Sequence, residues 1–427
     1  SATSDRWISI RAGSAVGGGT VVNWSSSLRL PAAVRDEALP VALKDLGYPD
    51  ARNTQAVAIF GLIVGFKILL SPLVAGFDPR RFILASQLGI AAVFGLMAMF
   101  LGAGEASMSG IIGCLIMLSL LAAAHDFALD GYFVAALDDR SRATHAGVLN
   151  VATKVGAVLA GPGLIWLVGR IMDEGPQTVD AWSWAMVAAA LLALLTLGAN
   201  AWGLAAEPRT ASDQSTVKER FAVMLAGLRS LGRDPRLYAV LGLILFYRAS
   251  EVHMARIIPL FSKSAEHGGL GLDNETYAFL RMLSAVGGLA LGGVIGSLVV
   301  ARLGLARSLL PLGVMMHLPL AAFAWLAYDG SHDLRVIGAV FIVEYVAYGA
   351  GLCALILAMM KLAAGPGAAV RYAALSTFAL LANYLPGLWA GHLAESLGYA
   401  HYFLFALSLA IPGIISAVVA KRHFSEA

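Results

Sequence analysis

A chain of 427 residues that is 59% apolar and only 13% charged, with a mean hydropathy of +0.75, is too apolar to close around one water-soluble core; soluble domains average about 45–50% apolar and about 25% charged residues. The formal net charge of +3 comes from 30 basic and 27 acidic residues scattered along the chain, so no basic stripe exists for nucleic acid. Cys114 and Cys353 stand alone inside apolar blocks and give neither metal-ligand nor thiol-redox spacing, and no Walker motif offers a nucleotide site.

In chain order, residues 1–54 are polar and glycine-rich and hold no apolar run long enough to span a bilayer. They are expected to be a non-native or poorly ordered head. Apolar blocks of about 20 residues, the length that crosses a membrane as a helix, then follow at 55–76, 81–103, 108–136, 146–169, 181–206, 237–262, 276–302, 308–328, 334–361, 368–394 and 398–420. The fold class is therefore all-α and membrane-embedded, with about eleven spans. The polar stretch 207–236 divides an N-terminal bundle, 55–206, from a C-terminal bundle, 237–420, leaving a tail at 421–427. Two helical halves joined by such a connector are a common secondary-transporter plan. The first half is then one helix short.

Short loops carry their Lys and Arg on alternate sides: Arg80 and Arg81, Arg140 and Arg142, Arg302 and Arg307, Lys361 and Arg371, and the tail Lys421 and Arg422. By the positive-inside rule these loops, the connector and the C-terminus are expected in the cytoplasm. An odd number of spans would then put the head on the opposite, periplasmic side. Glycines at Gly161 and Gly163 around Pro162 mark a bend, and Gly287, Gly288, Gly292, Gly293 and Gly296 repeat at a spacing that lets helices approach closely.

Ionisable side chains at membrane depth cost about 2.5 to 3.5 kcal/mol each on insertion scales and are tolerated where they face a cavity or each other. Asp126 and Asp130, beside His125, lie one helical turn apart on one face. Two close carboxylates resist joint ionisation, which suits a proton-coupling site, although capping or a structural pair with Lys154 would use the same residues. Arg248 and Glu251 share a face of the block 237–262, followed by His253 and Arg256. Mutual neutralisation explains the pair, and a guanidinium that grips a substrate carboxylate explains Arg248, with Arg256 in second place. Glu344 has no partner three or four residues away, which points to a cavity or a cross-helix partner, and Tyr345 and Tyr348 flank it with hydroxyl groups. Proton coupling is therefore expected at Asp126, Asp130, Glu251 and Glu344, and substrate contact at Arg248, Arg256, Tyr132, Tyr345, Tyr348, Lys154 and Asn383. Lys67, Asn150, Arg281 and His317 are further inward candidates, each also explained by local packing.

Two resemblances accompany these residues. The run Gly13 to Asn23-Trp24, with Gly17-Gly18-Gly19, and on to Leu30-Pro31 resembles the flavin-proximal segment of glucose-methanol-choline oxidoreductases. The G-x-G-x-x-G strand-to-helix turn that a flavin dinucleotide needs is absent, so no cofactor and no metal are expected. From about residue 38 onward, Ala124-His125-Asp126 with Asp130-Gly131-Tyr132, Phe246-Tyr247-Arg248 with Glu251, Gly268-Gly269-Leu270-Gly271, Glu344-Tyr345 with Tyr348-Gly349, and Arg371-Tyr372 with Leu385-Pro386-Gly387 resemble the AmpG-type muropeptide permeases of the major facilitator superfamily. The resemblance implies a two-bundle fold whose fourth, seventh and tenth helices line a central cavity. It also implies a monomer in the bacterial inner membrane that is not an enzyme and imports anhydro-muropeptides, or a related polar solute, with protons. A degenerate permease or a membrane scaffold remains the alternative, and a flavin-linked fragment a remote one.

Overall fold

The computed structural model describes residues 30–65, 77–103, 108–136, 155–204, 216–330, 332–364 and 368–424, and these are helical with short connections and no strand. Nine helices among them are long and apolar enough to cross a membrane: Arg80–Gly102, Ser109–Asp126, Val155–Asp173, Thr178–Trp202, Asn274–Leu303, Leu305–Asp329, Leu334–Ala363, Val370–Leu397 and Tyr399–Phe424. Many of their outward residues stay exposed in the isolated chain, such as Leu195 and Met99 at 71% each. Helices apolar on every side pack inward on one face and leave the other to lipid.

The expectation of an unstructured head is corrected from residue 30 onward. Leu30–Ala33, a π-helical turn Val34–Ala38 and Leu39–Asp45 run on as one rod, α1, because Ala33 and Ala38 at the joins keep right-handed helical backbone. It fills the place left vacant in the first half. Hydropathy misses it because Arg35, Asp36 and Glu37 interrupt its apolar run, and they survive burial only because other helices supply partners. A turn at residues 46–49 leads to α2, Asp50–Gly65, so the Leu30 end of α1 lies at the same end of the bundle as the C-terminus. This reverses the side expected for the point where the chain enters the bundle; residues 1–29 lie outside the described residues.

The remaining elements are α3, Pro79–Gly102; α4, Met108–Ala136; α5, Val155–Asp173; α6, Thr178–Gly203; and an amphipathic connector helix α7, Val217–Gly232. Asp78 starts α3 by accepting the Arg81 N–H, and Thr216 and Glu219 close a capping box on α7. The helix α8 is broken: Leu237–Phe246 and Ala249–Lys263 meet at Tyr247-Arg248, where Arg248 leaves helical geometry at φ −109° and ψ 5°. Then come α9, Asn274–Leu303, with a π-helical turn at Ser284–Gly288; α10, Leu305–Asp329; α11, Leu334–Ala363; α12, Ala368–Tyr384 and Gly387–Leu397, interrupted at Leu385-Pro386; and α13, Tyr399–Phe424. Because α7 is a connector, α8 and α11 hold the seventh and tenth membrane positions.

The two halves meet at the end marked by Tyr48 and Gly398. The second piece of α12 packs along α2, and the start of α9 packs along α5. Gly391 makes the first contact possible, since a Cβ there would meet the backbone of Asp50 and Ala51. Its N–H donates to Thr54 Oγ1 at 3.1 Å, the Ala51 N–H donates to Glu395 at 2.9 Å, and Tyr399 donates to Asp50. Inside the second half, Gly292 and Gly296 bring α9 against the backbone of α11 at Val346 and Ala350, so the small-residue spacing marks a packed helix pair.

Candidate functional site

Between the halves, opening toward the Phe424 end, lies a cavity of about 350 Å³ lined by α1, α2, α4, α8, α11 and α12. Arg35 and Asp36, His125 and Asp126, Arg248, Tyr348, Asn383 and Tyr384 supply its polar wall. Of the residues expected from sequence, Asp126, Arg248, Tyr348 and Asn383 are thus brought together by four different helices.

Each charge in this wall is held by a partner. The break in α8 turns Arg248 toward Glu251, which it grips through Nε at 2.9 Å and Nη2 at 2.7 Å. The guanidinium lies 5.2 Å from the centre of the Tyr348 ring. That leaves a cation at the cavity wall, already neutralised and oriented, with one face on an aromatic ring. Asp126 is mostly buried, with His125 Nδ1 4.0 Å away. The side chains of Asp130 and Tyr132, on the same helix, and Lys67, Asn150 and Lys154 lie outside the described residues.

Sequence reasoning passed over the hub of the site, the triplet Arg35-Asp36-Glu37. Tyr384 donates to both Asp36 oxygens at 2.8 and 2.9 Å, and Arg35 forks onto the same carboxylate at 2.9 and 3.0 Å. Arg256 approaches Asp36 at 3.8 Å, so it lies deep in the protein and against α1. The rings and guanidinium groups stack as well: Tyr384 has Arg35 at 4.8 Å and Arg256 at 4.9 Å from its centre. One residue on, Glu37 takes Arg281 of α9 in a two-pronged pair at 2.6 and 3.2 Å, while Arg281 lies 4.8 Å from the Tyr345 ring. Arg281 is thus a bridge across the two halves, beyond any local packing role. The available signal was three consecutive charges set between the apolar runs Leu30–Val34 and Ala38–Leu43.

Glu344 is buried, and its Oε2 makes no hydrogen bond among the described residues. Among the described residues, Arg281, Glu251 and Glu37 are the charged groups near enough to act on it. One guanidinium therefore faces two carboxyl groups, one from each half, with Glu37 in possession. His317 is a packed side chain against Gly413, as its place beside Pro319 suggested.

The polar contacts at the Tyr48 end close the cavity off on that side. Asp45, at the end of α1, accepts from Asn274 at 2.8 Å and from Trp182 at 3.2 Å and pairs with Lys263 at 3.4 Å. It ties α1 and α6 of the first half to α8 and α9 of the second.

Two helical bundles enclose this charged central cavity, and residues 38–382 match the Major Facilitator Superfamily. The chain belongs to this superfamily. Residues 1–40 match the GMC oxidoreductase family, so the two matches meet inside α1, next to the charged triplet. The anhydromuropeptide permease of Escherichia coli strain K12 is 24% identical over 383 residues, covering 87% of this chain and 73% of that protein. A putative transporter AmpG 4 of Rickettsia conorii is 22% identical over 404 residues, covering 90% and 92%. Among solved structures, a D-xylose-proton symporter superposes with a TM-score of 0.70 at 13% identity, covering 95% of this chain and 97% of that one, a likeness of fold. The AmpG-type resemblance read from sequence is therefore borne out, and the chain is a multi-pass inner-membrane transporter of this superfamily.

Proposed function

We propose that the chain is a proton symporter that imports anhydro-muropeptides, or a closely related polar solute, and that the described conformation is open to the cytoplasm with the C-terminus on that side. The observation that carries this reading is the Arg248–Tyr348–Asn383 wall of a cavity that is closed at the opposite end by contacts between the halves. A neutralised guanidinium beside an aromatic ring and an amide suits a ligand with carboxylate and sugar or peptide groups, and a relative is named as a permease for that cargo.

Glu344 and Asp126 are assigned the proton, with Glu251 holding Arg248 in place and Asp130 supporting Asp126. When Glu344 carries a proton it is neutral and leaves Arg281 to Glu37, which keeps the halves together. When the proton leaves toward the cytoplasm, two carboxylates compete for one guanidinium; like charges so close repel, and the Glu37 link across the halves weakens. The empty carrier is then released toward the outward-open state, where a new proton restores the first arrangement. Tyr345 donates toward Glu37 at 3.5 Å and Arg256 steadies Asp36, so both act through α1. Tyr132 and Lys154 are assigned to the substrate on the sequence alone.

Uptake of labelled anhydro-muropeptide into proteoliposomes, with and without an inward proton gradient, tests the reading. The gradient should stimulate uptake by the wild type, and Glu344→Gln should keep solute exchange while losing that stimulation. Uptake indifferent to the gradient would refute the coupling; no uptake at all would refute the cargo.

A further inference from the structure

A second cavity, of about 400 Å³, shares no lining residue with the substrate cavity and has different chemistry. It is a groove between α1, α2 and α4 with a floor from α3 and α6, lined by Leu39, Leu43, Phe60, Leu115 and Met186 among other apolar side chains. Ile59, Ile112 and Ile116, also in its lining, are 50%, 45% and 41% exposed, so the groove opens sideways on the surface that faces lipid. Its polar lining is Tyr48, Arg52 and Gln55, all at the Tyr48 end. Arg52 is exposed and makes no ion pair or hydrogen bond among the described residues, which sets it apart from the cations at the centre of the protein.

The dimensions identify the occupant. Along α2 the groove runs from Arg52 to Ile63, about 16 Å at about 1.5 Å per residue. That is half of a hydrocarbon core about 30 Å thick, the depth of one leaflet. The turn at residues 46–49 marks where α1 and α2 leave the membrane, so Arg52 stands at headgroup level and the apolar lining reaches down to the midplane. An apolar trough open to lipid is filled by hydrocarbon, because an empty one forfeits dispersion contacts along its whole wall. An exposed cation at the mouth, with no partner among the described residues, complements a phosphate.

We propose that this groove is a binding site for one anionic phospholipid, with an acyl chain lying between α1, α2 and α4 and its phosphate against Arg52. The site shares no lining residue with the substrate cavity, and it completes the packing of the short helix α1 through Val34, Ala38, Leu39, Ala42 and Leu43.

Native mass spectrometry of the detergent-extracted protein, titrated with phosphatidylglycerol or phosphatidylcholine, tests the site without reference to transport. One phosphatidylglycerol should be retained in preference to phosphatidylcholine. Arg52→Gln, at an exposed position, should cut that preference by about fivefold, the value of one basic residue at an anionic lipid surface. Ala56→Phe, which fills the groove, should abolish retention while leaving the elution profile of the protein unchanged. Equal retention by the Ala56→Phe variant, or no headgroup preference in the wild type, would overturn the proposal.

Discussion

Neutralising Glu37 by Glu37→Gln isolates the contact that ties the oxidoreductase-like end of α1 to the far half of the protein. The Glu37 and Arg281 side chains are 21% and 8% exposed, and two oxygen contacts at 2.6 and 3.2 Å join them. Removing one partner of a fully buried pair costs about 3 to 5 kcal/mol because the other charge is left unpaired. The partial exposure of Glu37 and the neighbouring Glu344 carboxyl, which takes over some of the charge of Arg281, bring the expected loss to about 2 kcal/mol. Arg281→Gln strands Glu37 in the same way, and the double variant should recover part of the loss, with a coupling of about 1 to 2 kcal/mol. Thermal unfolding of the four proteins in one detergent measures the cycle. A coupling indistinguishable from zero, within about 0.3–0.5 kcal/mol, would show that the triplet is not engaged with the second half and would remove the basis for Glu344 competing with Glu37.

Three further outcomes follow from contacts elsewhere. Asp45→Asn leaves Lys263 without its carboxylate and should shift the population toward the state open at the Tyr48 end by about tenfold, read as faster labelling of a cysteine placed at Ala51; unchanged labelling would mean that Asp45 is no latch. Gly391→Ala sets a Cβ against the backbone of Asp50 and Ala51 and should destabilise by about 1 to 3 kcal/mol, measured as a lower Tm. Asp234, in the turn before α8, bonds Arg236 and reaches Arg371 at 2.8 Å, and the hydrogen bond from Arg236 leads the causes that hold its carboxyl down at about 2. Because the folded value lies below the unfolded one, its contribution of about 1 to 2 kcal/mol is present above pH about 4 and lost as the pH falls toward about 2. Asp234→Asn should therefore flatten stability against pH in that window, and an unchanged profile would contradict the assignment.

The membrane fold was legible because it rests on amounts that add along the chain. Nearly every block of about 20 apolar residues became a helix or a pair of helix segments, and the connector at 207–236 contains α7, Val217–Gly232, as a polar amphipathic helix. Part of the site was legible for a related reason. A charge inside an apolar block is costly wherever the block packs, so Asp126, Arg248 and Glu344 stand out with no knowledge of neighbours. The Arg248–Glu251 pair was legible too from its spacing of three residues, although the break in α8 that leaves Arg248 as the cap of the second segment was not.

What sequence left open was decided by partners far away in the chain. Residues 30–45 read as polar because Arg35, Asp36 and Glu37 lower the average of any window that contains them, and only the arrival of Tyr384, Arg256 and Arg281 makes a buried helix of them. The same distance hid Asp45, which looks like a loop residue until α6, α8 and α9 converge on it. Hydropathy is a property of a segment and can be read from that segment alone; the pairing of a buried charge belongs to two segments, and only the tertiary structure brings them within reach.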